Sequence, residues 1–389
     1  MKHLAVIFTT GHADTIGNAC RLDMIRYLTG HFKITIYTNR KEFITKLFPE
    51  TDVQSIDKGR SADKGYVFQL ASFRILARRI NQSGADALFM FHDTSAVALW
   101  MHIPVFQYVH QYGQRSVQNG SSFRGQLRNA TAFFKERRTF SGLARSSVNF
   151  SVSESIRELL NSRGIHNVHT IPHALELGKF EKPVETEFHE PLKSLRKRGF
   201  FIAAYTGWMM ENRGFHLMLD ALRMAVKKDD RVALVMAGAD AHHSEQIQLF
   251  KDSHELHEHI LDLGVVDSSL IPGILASSDV CLSFLDDVPA FHLSPPQKVI
   301  EYFAAGRPVI CNYIQTHNAL VRDGYNGLIV DYDAERLSDA ILKIKGSPHL
   351  QKEMSANAAN TAEMFDANVQ YGNMVQIMKS KLDGREKIY

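Results

Sequence analysis

The sequence predicts an α/β protein built from two Rossmann-like domains, on three observations. Strand-like apolar runs alternate with amphipathic helical stretches from one end of the chain to the other. The rhythm restarts near the middle of the chain. The 389 residues also exceed what one hydrophobic core usually covers, about 250–300 residues.

In the first half, strands are expected at 4–9, 33–38, 86–91, 104–109, 148–152 and 167–172, with helices at 16–29, 66–82 and 153–163 between them. In the second half, strands are expected at 200–206, 231–237, 263–266, 279–284 and 307–311. Helices follow at 214–228, 268–277, 297–305 and 333–345, and a long helical tract at 349–382. Alternation of this kind implies parallel sheets covered by helices on both faces. Residues 176–198, rich in Glu, Lys and Pro without an apolar period, read as a linker. The expected domains are therefore 1–175 and 199–370, facing a cleft, with 371–389 as a C-terminal helix and tail.

Composition narrows the class. Hydrophobic residues at 44% and charged residues at 22% are near the globular average, which excludes a disordered or collagen-like chain. The three cysteines, Cys20, Cys281 and Cys311, are too scattered for a disulfide scaffold or a metal knuckle. Met1-Lys2-His3 runs straight into an apolar strand, so no secretory signal is expected. The most apolar window, 85–106, is broken by His92, Asp93 and His102, so no membrane span is expected there. The expected setting is cytoplasmic. The net charge of +3 hides an imbalance: residues 1–175 hold 22 Lys+Arg against 12 Asp+Glu, and residues 176–389 hold 23 against 30. The halves thus carry +10 and −7, which points to an anionic partner for the first alone.

In doubly wound sheets, ligands bind beyond the carboxyl ends of strands, where the next helix offers free N–H groups. The first such loop, Thr9 to Asn18, contains Gly11 and Gly17 but not the spaced triple-glycine fingerprint, which disfavours a dehydrogenase. Its glycines serve either close approach of a phosphate or sugar, or simply a tight turn.

The second half is more specific. Leu263-Gly264-Val265-Val266 is followed by Ser294-Pro295-Pro296-Gln297-Lys298-Val299-Ile300-Glu301, then by Gly306-Arg307-Pro308-Val309-Ile310 and Asp323-Gly324-Tyr325-Asn326-Gly327. Tyr205-Thr206-Gly207-Trp208 with Arg213-Gly214, and Ile171-Pro172-His173, flank that succession. The set resembles the donor domain of glycosyltransferase family 4, whose members have the GT-B fold, over roughly residues 165–345 and more loosely before them. The resemblance implies a retaining glycosyltransferase that moves a sugar from a nucleotide-sugar donor to a glycan or lipid-linked acceptor. It also implies a C-terminal helix that crosses back to the first domain.

The resemblance places Gly17, Arg213, Val266, Ser294, Lys298 and Glu301 at the donor nucleotide and diphosphate. Arg213 matches the basic diphosphate-binding position, where a forked guanidinium suits phosphate oxygens. Lys298 follows two prolines that offer no N–H, so its charge would replace amide donors missing from that helix start. Glu301 matches the carboxylate that holds ribose hydroxyls. By spacing alone, Lys298 and Glu301 make an ordinary surface ion pair. His110, ending the strand 104–109, matches the histidine implied as the acceptor-side catalytic residue, although it is one of nineteen.

The family needs no metal, so no cofactor is expected, and Asp286-Asp287 reads as a solvated loop. Three departures stand out. Leu293 replaces a family glutamate beside His292, Trp208 replaces an arginine, and Ala319 replaces an acid. They keep open a non-catalytic partner or scaffold subunit, and a sugar-nucleotide epimerase or hydrolase of the same fold. The basic run from Phe123 to Arg145 holds Arg124, Arg128, Lys135, Arg137, Arg138 and Arg145 against Glu136, interleaved with phenylalanines. It is expected to meet an anionic membrane surface at its inner face, and no nucleic-acid motif is present.

Overall fold

The structure, a computed structural model, describes residues 1–9, 19–56, 66–110, 123–183, 186 and 189–384. It divides into two compact units, Met1–Pro172 with Gln370–Tyr389, and His173–Val369.

The first unit holds β1 His3–Phe8, β2 Lys33–Thr38, β3 Asp52–Ser55, β4 Ala87–Phe91, β5 Val105–Val109, β6 Val148–Ser151 and β7 Val168–Thr170. They form one parallel sheet in the order β3-β2-β1-β4-β5-β6-β7. All of β4 and β5, and β1 after His3, are buried, as expected for strands covered on both faces. The helix Ala367–Leu382 ends in this unit, where Tyr371 lies 5.7 Å from Tyr27 and donates to the Cys20 carbonyl.

The second unit holds β8 Phe201–Thr206, β9 Val232–Ala237, β10 Ile260–Asp262, β11 Val280–Ser283, β12 Val309–Asn312 and β13 Gly327–Val330. Its parallel sheet runs β10-β9-β8-β11-β12-β13. Strand order reverses between β1 and β4 in one sheet and between β8 and β11 in the other.

Several elements differ from the sequence expectation, each for a physical reason. β3 and β13 are short edge strands, and in β3 only Val53 is buried, so periodicity carries no signal. The strand expected at 263–266 lies earlier, at Ile260–Asp262. Asp262 Oδ1 accepts the Gly264 N–H at 2.9 Å, and Gly264 turns left-handed at φ 62°, which ends the strand. The tract at 349–382 is two helices, Pro348–Ala362 and Ala367–Leu382. Between them Leu175 donates to the Phe365 carbonyl and accepts from Ala367 N, both at 2.9 Å, pulling the backbone out of the helix.

The segment 176–198, expected as a linker, lies in the second unit and contains the helix Glu190–Lys197. Its Leu192 and Leu195 enter the apolar cluster of Phe200, Ile202 and Ile274. Eight residues carry too few apolar positions for a period to show. Because Leu192 is fully buried, Leu192→Ala should lower unfolding free energy by about 2–5 kcal/mol in urea titration. A flexible linker would show no loss.

Candidate functional site

At the β8/β11 reversal, the switch point at which ligands of such sheets bind, four segments converge. They are the end of β8, the 3-10 turn Glu211–Arg213, the short helix Pro289–Leu293 and the helix Gln297–Ala304. Tyr302 pins the last of these. Its hydroxyl accepts from Thr206 N at 3.0 Å and lies 3.4 Å from the Leu282 carbonyl, joining the helix to β8 and β11.

One turn earlier, Lys298 is only 9% exposed, and its Nζ lies 3.6 Å from the centroid of the Tyr205 ring. Gly207 makes the room. A Cβ there would stand 3.3 Å from Nζ, and its φ of 111° favours glycine in any case. Burial pushes Lys298 well below the usual lysine range. The nearby Arg213 charge pushes it the same way, and Glu301 opposes both.

Arg213 is held by what surrounds it. It hydrogen-bonds the Tyr205 hydroxyl, which itself donates to the Trp208 carbonyl at 2.7 Å. Its guanidinium sits 5.4 Å from the Phe291 ring centroid. The Arg213 Nε–H is buried and meets no acceptor among the described residues. The charge of half-buried Arg213 adds to the desolvation cost of buried Lys298, and an anion beside them would relieve both.

The prolines do not act as expected. Pro296 caps the helix from outside, and its carbonyl accepts from Val299 N. The N–H groups of Gln297 and Lys298 are therefore kept, and Lys298 adds to the helix N-terminus rather than replacing lost amides. Glu301, half-buried on the next turn, accepts from Gln297 Nε2 at 2.9 Å.

Beneath the site lies a neutral network. His317 Nδ1 faces the Asn312 carbonyl at 2.9 Å and must donate, so Nε2 accepts from Ser283 Oγ, also at 2.9 Å. Burial holds His317 down to about 4, and the network stays uncharged at neutral pH. Asn312 bonds both backbone groups of Leu285, fixing the chain as it leaves β11.

His292 is not free to replace the missing glutamate. Its Nδ1 accepts the Gln315 N–H, so Nε2 carries the proton and donates to Asp287 at 2.6 Å. Asp286 receives the Tyr332 hydroxyl, whose pKa rises to about 12 through burial and this carboxylate. Both carboxylates thus have protein partners. Among the described residues, no cluster of three or more His, Cys, Asp or Glu is arranged to hold a metal.

Of the expected site residues, the structure brings together Arg213, Lys298 and Glu301. Ser294 lies at the end of Pro289–Leu293, on the chain leading into the helix of Lys298 and Glu301. The Val266 side chain is buried in the apolar cluster with Ile271 and Ile274. Gly17 lies outside the described residues.

His110 follows β5 in the first unit. Its ring is 4.8 Å from His92 and nearly parallel to Tyr108 at 6.5 Å. His92 follows β4, where burial lowers its pKa and Asp93 partly restores it. At the β1/β4 reversal Arg21 is buried, with its guanidinium 5.0 Å from the ring centroids of Phe8 and Phe91. It donates to the Thr9 carbonyl and faces Asp93 at 3.8 Å.

Sequence reading missed Tyr302, Phe291, His92 and Arg21. Tyr302 had one available signal, a tyrosine directly after the matched glutamate.

Residues 201–345 match the family model described as glycosyl transferases group 1. A phosphatidyl-myo-inositol mannosyltransferase of Mycobacterium leprae is 25% identical over 177 residues, 45% of this chain and 45% of that protein. The match thus spans about half the length of that curated relative. Among solved structures, Anabaena HepE in complex with UDP and glucose aligns over 98% of this chain and 100% of its own, with TM-score 0.73 and 14% identity. Sucrose-phosphate synthase of Thermosynechococcus elongatus covers 99% and 100%, with TM-score 0.74 and 16% identity. The chain has the GT-B fold, and the match to the group 1 glycosyl transferase model falls within its second unit.

Lysine charging gives a direct test. Below pH 10.5 an unfolded lysine binds a proton that folded Lys298 binds less readily, so the group costs folded stability. Lys298→Met should raise the ligand-free thermal midpoint while weakening nucleotide diphosphate binding by about 1–3 kcal/mol. In the wild type, calorimetry in buffers of different ionisation enthalpy should show proton uptake on binding at alkaline pH, and the variant should lose it. A lower midpoint, or an unchanged affinity, would remove Lys298 from an anion site.

Proposed function

We propose that this protein is a retaining glycosyltransferase that moves a hexose from a nucleotide-sugar donor to a glycan or lipid-linked acceptor. The observation that carries the reading is buried Lys298 beside half-buried Arg213 at the β8/β11 switch point, next to the open helix N-terminus at Gln297. A nucleoside diphosphate gains negative charge as it leaves the sugar. Fixed cations and aligned N–H groups stabilise that charge more in the transition state than in the ground state.

On this reading Arg213 and Lys298 grip the diphosphate, and Glu301 accepts the ribose hydroxyls as a fixed carboxylate. Ser294 and the backbone at Val266 line the nucleotide, and Gly17 belongs to the same proposed donor-binding set. His110 is the acceptor-side catalytic residue, and no enzymic nucleophile is assigned. The two cations supply the charge that a divalent metal provides elsewhere, so the reading requires no metal or other cofactor. Its support is the matched module at 201–345, the mannosyltransferase name of the relative and the UDP and glucose named with Anabaena HepE.

A thermal-shift screen with UDP-, GDP- and ADP-sugars should find the donor, because a ligand at about 100 times its Kd adds about 2.7 kcal/mol. No shift with any of them would favour a scaffold subunit. NMR of the product should show the donor's anomeric configuration retained. Glu301→Ala should keep the wild-type thermal midpoint and lower transfer by about 10- to 100-fold, the scale of one or two lost charge-assisted hydrogen bonds. Dialysis against EDTA should leave the rate unchanged, and a loss that Mg²⁺ restores would overturn the metal-free reading.

A further inference from the structure

We propose that Trp208 is the sugar platform of the donor site, its indole stacking on the C–H face of the pyranose that the nucleoside diphosphate carries. The inference rests on the transferase reading and deepens it, by naming a residue that recognises the transferred group.

Trp208 follows Gly207, the residue that makes room for the Lys298 amine. Its carbonyl and the Arg213 guanidinium share one partner, the Tyr205 hydroxyl. Two hydrogen bonds meeting at one oxygen hold the Trp208 carbonyl within about 6 Å of the Arg213 side chain. The backbone is therefore anchored beside the cations, whereas the side chain is 46% exposed. Among the described residues, no aromatic ring or cation is stacked on the indole.

Two more apolar side chains stand around the same guanidinium. Met210 is exposed, and its carbonyl accepts the Arg213 N–H at 2.9 Å; Phe291 lies under the guanidinium itself. Single apolar residues at a surface need no explanation, but three gathered around one cation do. A ligand that fits them offers negative charge and an apolar ring face together. A nucleotide sugar does so, because C–H groups next to ring oxygens are weakly positive and meet the negative face of an aromatic ring.

The sheet decides which part of the donor the indole meets. Side chains of β8 alternate between two apolar clusters, one on each face. Val266 and the helix of Glu301, the proposed nucleoside end, belong to one cluster through Val266, Val299 and Tyr302. Met209, next to Trp208, belongs to the other, as does the helix Phe215–Lys228 that follows Arg213. The nucleoside thus leaves the diphosphate toward the first face, and the sugar leaves toward the second, where Trp208 stands.

Titration calorimetry of the full chain tests it, with UDP, GDP and ADP, each alone and as its glucose conjugate. Glucose is the probe because its pyranose presents C–H groups on both faces. For the base that binds, Trp208→Ala should weaken the glucose conjugate about fivefold and leave the free diphosphate within about twofold of wild type. That retained diphosphate affinity also shows the variant to be folded, and Trp208→Phe should recover most of the loss. The chain has two tryptophans, so in a Trp100→Phe variant indole emission reports Trp208 alone. The glucose conjugate should move that emission to shorter wavelength, and the free diphosphate should not. Equal weakening of diphosphate and conjugate would put the indole on the phosphates or the base. Unchanged affinity of Trp208→Ala for the conjugate would take it out of the donor site. Either result overturns the proposal and leaves the transferase reading standing, whereas failure of every nucleotide to bind the wild type overturns that reading and the inference with it.

Discussion

The second unit is organised around a lysine that the fold holds almost out of water, against the face of Tyr205 and near a second cation. Neither condition is comfortable alone, since burial and like charge both oppose a protonated amine. The surroundings make the arrangement permanent. Tyr302 ties the lysine's helix to β8 and β11, Gly207 leaves room for the amine, and the Tyr205 hydroxyl holds Arg213. On the proposed reading, the site is thus preorganised for negative charge that arrives with a ligand and grows during reaction.

The two sheets repeat one logic with different chemistry. Each reverses strand order once, and each places its polar side chains beyond the strands flanking that reversal. In the second unit these are cations on a helix start and a turn. In the first they are two histidines and a buried arginine held between Phe8 and Phe91 and facing Asp93. Neutral polar networks do the bracing: Ser283, Asn312 and His317 under one site, and Gln107, Ser146 and Asn149 within the first unit.

The long buried strands were legible because both-face burial writes a continuous apolar run, as in Leu4 to Phe8 and Phe201 to Tyr205. β3 lies at a sheet edge and lacks such a run, and β13, at the other sheet's edge, is apolar but only four residues long. β10 was misplaced because Leu263-Gly264-Val265-Val266 looks like a strand, whereas Asp262 and the left-handed Gly264 end it. The grouping of Arg213, Lys298 and Glu301 was legible through their motif, yet the helix start differs from the one expected for Lys298. The prolines stand before the helix rather than in it, a one-residue difference in cap position that sequence does not resolve.

The sequence by itself determined the class of fold, the repeat of strand and helix in two halves, the family-like module and the charge split. All of these are properties of local pattern or of counting. Only the tertiary structure decided that Tyr205 lies under Lys298, that His292 has both nitrogens occupied, and that the helix Glu190–Lys197 packs into a core. Each of these depends on contacts between residues distant in the chain. Such contacts are set by how helices settle on a sheet, for which the order of residues along one segment holds no record.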